Sequence, residues 1–156
     1  MHPDDYLNKE DETTIYFFSS PYDVFNNWSA HTVTIWGKEF NTAEHAYHYK
    51  KFQTTNPAVA EEIFKAPSPW ACFQLSRKYK TEVEPAWNDN KLAVMETIIR
   101  SKMAQNEDVV EQLQKTGKRI IAENSPWDNF WGLGSDGTGE NSLGKIWMKL
   151  RSELSI

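Results

Sequence analysis

Cysteine is nearly absent. The chain has one, Cys72, in 156 residues, so no disulfide can form within it and the fold must be held by its core. Long apolar runs are missing too. Nothing approaches the roughly 20 consecutive residues a spanning helix needs, and the mean hydropathy of −0.68 agrees. The first twelve residues carry Asp4, Asp5, Glu10, Asp11 and Glu12 without an apolar core, which reads as an acidic tail rather than a secretory signal and points to the cytoplasm. Positive charge is in short supply: the net charge is −5 and the pI about 5.4, which argues against a protein that grips long nucleic-acid tracts through many phosphates. Zinc spacing is also lacking. His45 and His48 stand at i, i+3 without a third His or Cys nearby, so neither a metal nor another cofactor is expected. Glycine is scarce except in one place, since five of the seven fall between Gly132 and Gly144.

What is plentiful is aromatic surface, 13% of residues with seven Trp. Such side chains fill cores and also line pockets that stack on planar rings. Trp28 and Trp131 could stack on a planar ring, whereas Trp36, Trp70, Trp87, Trp127 and Trp147 read as core or rim packing. The length suits one core, giving an expected tail over 1–13 and a single domain over 14–156.

Strand propensity marks 14–18, 32–36 and 119–123, with Gly37-Lys38 as a turn and Glu39-Phe40 as a short return strand. Asn56-Pro57 and Ser68-Pro69 each look like an N-cap followed by proline at the first helical position, opening helices near 58–66 and 70–77. A long helix is expected over 88–103 with Leu92, Met95, Ile99 and Met103 on one face, then one from Asn106 to Gly117. The predicted class is α+β, predominantly helical with a few short strands.

Two segments carry chemistry. In Asn41-Thr42-Ala43-Glu44-His45-Ala46-Tyr47-His48-Tyr49-Lys50-Lys51-Phe52, Thr42 is an N-cap and Glu44 lies in the first turn, where the helix dipole favours a carboxylate. Helical spacing sets Glu44, His48 and Lys51 on one stripe, the arrangement of an acid/base site, although a surface Glu beside a basic pair would give the same pattern. The second segment, Asp128 to Gly144, is the glycine-rich loop. Apolar Leu143, Ile146, Trp147, Leu150 and Leu154 follow at helical spacing, so the loop feeds a helix N-terminus, which suits a phosphate. A surface loop that needs glycine for its turns is the commoner origin of such stretches, and neither standard phosphate fingerprint is present.

Phe25-Asn26-Asn27-Trp28, Thr42-Ala43-Glu44-His45, Lys50-Lys51-Phe52, Ser101-Lys102-Met103, Trp131-Gly132 and Asn141-Ser142-Leu143-Gly144, in that order, resemble the NADAR or YbiA-like family from about Phe17 to Leu154. The resemblance implies a cytoplasmic N-glycosidase without a metal, acting on ADP-ribose attached to guanine, free or in DNA, or on phosphoribosylated aminopyrimidine intermediates of riboflavin synthesis. Neither membrane association nor an obligate protein partner is expected. By resemblance Glu44 is the family's acidic residue and Lys51 its lysine, while Glu123, Asp128, Trp131, Gly132, Asn141 and Gly144 match its C-terminal pattern. Trp28 replaces a usual Phe and His48 an expected Gln, which bears on substrate preference. The expected catalytic set is Glu44, Lys51, Asp128 and Glu123, with Asn27, Trp28, His48, Lys102, Trp131, Gly132, Asn141 and Gly144 binding substrate. Breaking an N-glycosidic bond passes through a cationic sugar, so Glu44 would activate water or stabilise the cation while Asp128 or Glu123 placed ribose hydroxyls or shared the proton work. Lys51 and Lys102 would hold phosphate, or one would attack C1′ of an opened sugar. A non-catalytic ADP-ribose-binding module and a purely partner-binding domain are the rival classes.

Overall fold

Three helices begin on side chains that satisfy an orphan backbone donor. Thr42, Asn56 and Ser68 accept hydrogen bonds from the N–H of His45, Val59 and Ala71. They start α1 (Ala43–Phe52), α2 (Pro57–Phe64) and α3 (Pro69–Lys78). The computed structural model describes residues 4–18 and 23–154, so Met1–Pro3 of the acidic tail lie outside the described residues. The chain sorts into two compact units, one formed by residues 30–105 and the other by the segments on either side.

The 30–105 unit holds α1 to α3, the long α4 (Trp87–Gln105) and a hairpin of two antiparallel strands, Val33–Ile35 and Lys38–Phe40. The hairpin turn is Trp36-Gly37, one residue earlier than the sequence suggests, and both residues have positive φ. That is the pattern of a two-residue turn matched to strand twist. Phe40 anchors the core edge-on to Tyr49 and Phe64, with centroids 5.1 and 5.4 Å away. On α4 the buried stripe is Met95, Ile98, Ile99 and Lys102, while Leu92 is largely exposed. The expected Leu92–Met103 face is therefore rotated about the helix, because packing chose Ile98 over Leu92.

In the other unit, Lys9–Glu10 pairs antiparallel with Thr14–Phe17, which runs parallel to Ile120–Glu123 in the register Tyr16↔Ala122. The acidic tail thus contributes a strand to this sheet. Helices α5 (Glu107–Lys115) and α6 (Ser142–Leu154) complete the unit, with Asn106 in the N-cap position of α5. Trp147 on α6 is fully buried, meets Phe25 edge-on at 5.2 Å, and donates its Nε1–H to the Phe25 carbonyl at 3.1 Å. The described residues thus form an α+β fold of six helices and two small sheets. No helix among them is long and apolar enough to cross a membrane.

Candidate active site

On α1, Glu44 and His48 face each other one turn apart, with Oε1 and Nε2 separated by 2.6 Å. The Glu44 side chain is 13% exposed and that of His48 5%. Burial holds the His48 pKa below the ordinary imidazole value, even though Glu44 pulls it the other way. A neutral imidazole that bonds an ionised carboxylate carries its proton on Nε2 and leaves a lone pair on Nδ1. Nδ1 is buried and has no hydrogen-bond partner among the described residues. His48 therefore fixes one oxygen of Glu44 and keeps an acceptor in reserve.

One turn further, Lys51 donates to Ser76 Oγ on α3 at 3.0 Å and lies over the rings of Tyr47 and Trp87, with centroids 5.0 and 6.0 Å away. Burial brings its pKa down to about 8, with Glu44 opposing the fall and Lys91 assisting it. Such a lysine supplies a measurable fraction of neutral amine near pH 7, a requirement for nucleophilic or proton-transfer work that an ordinary surface lysine does not meet. Lys102, on α4 of the same unit, is fully buried. Cys72 is buried with its thiol pushed up to about 12, chiefly by burial, so it packs rather than reacts.

His45 points elsewhere. A carbonyl only accepts, so His45 Nε2 donates to Ala66 O at 3.0 Å, and Nδ1 takes the Thr42 hydroxyl at 2.8 Å. Both ring nitrogens serve the fold. Among the described residues no group of three or more His, Cys, Asp or Glu is placed to hold a metal ion.

In the other unit the glycine-rich loop is folded upon itself. Asp128 Oδ1 accepts from the N–H groups of Phe130 and Trp131 at 2.9 and 2.8 Å, the work of a turn-building aspartate. The N–H groups of Leu133, Gly134, Gly139, Glu140 and Asn141 all bond loop carbonyls or Glu123 O, and those of Ser142 and Leu143 at the start of α6 bond Phe130 O and Trp131 O. The expected phosphate cradle is thus largely spent on backbone, because the loop satisfies its own donors. Asn141, at positive φ, accepts from Glu123 N–H and donates to Ile121 O, both at 2.9 Å, tying α6 to the edge strand. A Cβ on Gly144 would strike Ile121 O and the Asn141 amide; one on Gly132 would come 2.8 Å from Glu123 O. Both glycines therefore have packing reasons for being where they are. Trp131 is buried and edge-on to Phe130 at 4.7 Å. Asn26 and Asn27 are buried, and Asn26 Oδ1 accepts the Trp28 N–H at 2.7 Å.

Of the tryptophans read as core or rim packing, Trp70 and Trp127 are exposed by 52% and 74% while still meeting Phe73 and Phe18. The structure brings Glu44, His48 and Lys51 together on α1 as the spacing predicts, and it adds Ser76, which the sequence reading missed. Cys72 and Ser76 are one turn apart on the buried face of α3, and that spacing was the available signal.

The NADAR domain model matches residues 9–155, nearly the whole chain. The chain belongs to the NADAR family. An N-glycosidase of Nostoc punctiforme is 35% identical over 144 residues, which cover 90% of this chain and 92% of the relative. Similarity extends to a riboflavin biosynthesis protein of Vibrio vulnificus, 34% identical over 92% of this chain but over only 39% of that protein. The NMR structure of Escherichia coli YbiA, itself named an N-glycosidase, superposes with a TM-score of 0.80 at 29% identity, covering 96% of this chain and 89% of that one. The chain is thus a NADAR domain with the YbiA fold, in a family of glycosidase-type enzymes. The Glu44 helix lies well inside the matched region.

Proposed function

We propose that this NADAR chain hydrolyses the N-glycosidic bond between a phosphorylated ribose and a base, with ADP-ribose on guanine as the substrate and Glu44 as the carboxylate at C1′. The observation that carries the reading is the largely enclosed 2.6 Å contact between Glu44 and a His48 held neutral by burial. Loss of the base places positive charge on C1′ and the ring oxygen. An ionised Glu44, oriented by His48, stabilises that charge and accepts the proton of the incoming water. The C1′–N bond breaks with its electron pair moving to the base, and protonated Lys51 supplies the proton the departing base needs. Water's oxygen ends on C1′, and the proton it left on Glu44 restores Lys51 through solvent. Lys51 in its neutral form offers a second route, attack on C1′ of an opened sugar; borohydride trapping of a covalent adduct tests it.

A second substrate reading draws on a specific observation. Relatives from Vibrio vulnificus and maize are named riboflavin biosynthesis proteins, which favours a phosphoribosylated aminopyrimidine. The test is a mass-spectrometric release assay on the wild type and Glu44→Gln, with guanine-linked ADP-ribose in an oligonucleotide and, separately, the phosphoribosylated pyrimidine. Release of ADP-ribose by wild type, leaving restored guanine in the oligonucleotide and lowered at least 100-fold in Glu44→Gln, supports the proposal. Release from the pyrimidine alone moves the substrate to the second reading. Release from neither, with ADP-ribose still bound, makes the chain a reader of ADP-ribose, and near-normal turnover in Glu44→Gln removes Glu44 from the chemistry.

A further inference from the structure

Trp70 and Phe73 on α3 stack with centroids 5.4 Å apart and planes inclined by 20°, and the Arg77 guanidinium carbon lies 5.7 Å from the Phe73 centroid. These three positions recur at helical spacing, so they form one stripe. Phe73 also meets the His48 ring edge-on at 6.4 Å. His48 in turn holds Glu44. A continuous run of planar groups therefore leads from the Glu44 carboxylate outward to Trp70, which is 52% exposed. A tryptophan in that state contributes little to core burial; what it offers is a flat π surface at the solvent boundary. The local charge is unusual as well. In a chain of net charge −5, the stretch between Glu62 and Glu82 contains Lys65, Arg77, Lys78 and Lys80 and no acidic residue.

We propose that the Trp70–Phe73–Arg77 stripe is a second subsite, where Trp70 stacks on the adenine of an ADP-ribosyl substrate and Arg77 faces its phosphates. The inference rests on the N-glycosidase reading of Glu44 and deepens it by naming the part of the substrate remote from the bond that is cut. Stacking gives a ring a place without requiring hydrogen-bond readout, and a guanidinium beside it is suited to phosphate oxygens. A single-ring phosphoribosyl substrate has no second base to reach Trp70, so this stripe selects the dinucleotide-like substrate of the two. The net negative charge of the chain disfavours the other source of a second base, a neighbouring nucleotide in a DNA tract.

Calorimetry with two products that undergo no turnover, ADP-ribose and ribose 5-phosphate, tests the subsite on the complete chain. Wild type is expected to bind ADP-ribose at least about tenfold more tightly, and Trp70→Ala to lose roughly five- to a hundredfold toward ADP-ribose with ribose 5-phosphate unchanged. Trp70→Tyr, which keeps a stacking ring, should stay within about threefold of wild type. Three results overturn the subsite: equal affinity of wild type for both ligands, an unchanged ADP-ribose affinity in Trp70→Ala, or an equal loss toward both. The ADP-ribose release assay is a separate readout. Cleavage with no Trp70 effect removes the subsite and leaves the glycosidase, whereas a selective Trp70 effect without cleavage does the reverse.

Discussion

Replacing Lys51 with methionine should make this protein more stable while removing its activity. A pKa brought from 10.5 down to about 8 means that the charged form present at pH 7 is held in the fold at a cost of about 3 kcal/mol, at about 1.4 kcal/mol per pH unit. Methionine keeps a similar stem and places a thioether near Tyr47 and Trp87, the rings the ammonium now covers. Its cost is the hydrogen bond to Ser76, about 1 kcal/mol, and the serine hydroxyl can turn to a carbonyl of its own helix. The net gain at pH 7 is therefore about 1–3 kcal/mol, or roughly 3–10 °C in Tm for a domain of this size. The sign follows from proton binding. Between pH 8 and 10.5 the unfolded chain holds a proton on Lys51 that the folded chain has lost, so wild-type stability gains from this group as pH rises through that window. Urea unfolding of both proteins from pH 7 to 10.5 should therefore show the advantage of Lys51→Met shrinking steadily. A variant less stable than wild type at pH 7, or a stability difference that stays flat with pH, would refute the argument that burial dominates at Lys51.

Other perturbations separate architecture from chemistry. Thr42→Ala removes both the cap on the His45 N–H and the hydroxyl on His45 Nδ1; a loss of about 2 kcal/mol is expected in chemical denaturation, with most of it recovered in Thr42→Ser. Gly144→Ala drives a methyl into Ile121 O and the Asn141 amide, whereas Gly137, a loop glycine, has open space around it but positive φ. Gly144→Ala, inside α6, should cost several kcal/mol and lower Tm sharply, and Gly137→Ala in the loop only about 1 kcal/mol. The depressed His48 pKa predicts an acid limb: below pH 6.5 the unfolded chain takes up a proton that folded His48 does not, so stability should fall with pH, and His48→Gln should flatten that limb in thermal melts.

Local rules decided much of this molecule before any tertiary contact was known. Thr42, Asn56 and Ser68 start helices because their oxygens satisfy a backbone donor three residues on, an interaction that needs only neighbouring chain. The stripe of Glu44, His48 and Lys51 is a consequence of helical period, so the heart of the candidate site was legible from spacing. The motifs pointing to the NADAR family were legible for the same reason, since they are short and ordered along the chain. Tertiary structure decided the rest. Whether Lys51 is an ordinary lysine or one with a pKa of about 8 depends on its burial against Ser76, Tyr47 and Trp87, from three different helices. The loop from Asp128 to Gly144 reads as a phosphate cradle until its N–H groups are seen to bond its own carbonyls. Strand 14–17 pairs with 120–123 across a hundred residues of intervening chain. Trp70 and Trp147 both read as core or rim packing, yet one is half in water and the other wholly enclosed. Periodicity tells which residues share a face; only packing tells whether that face meets a core, a charge or solvent.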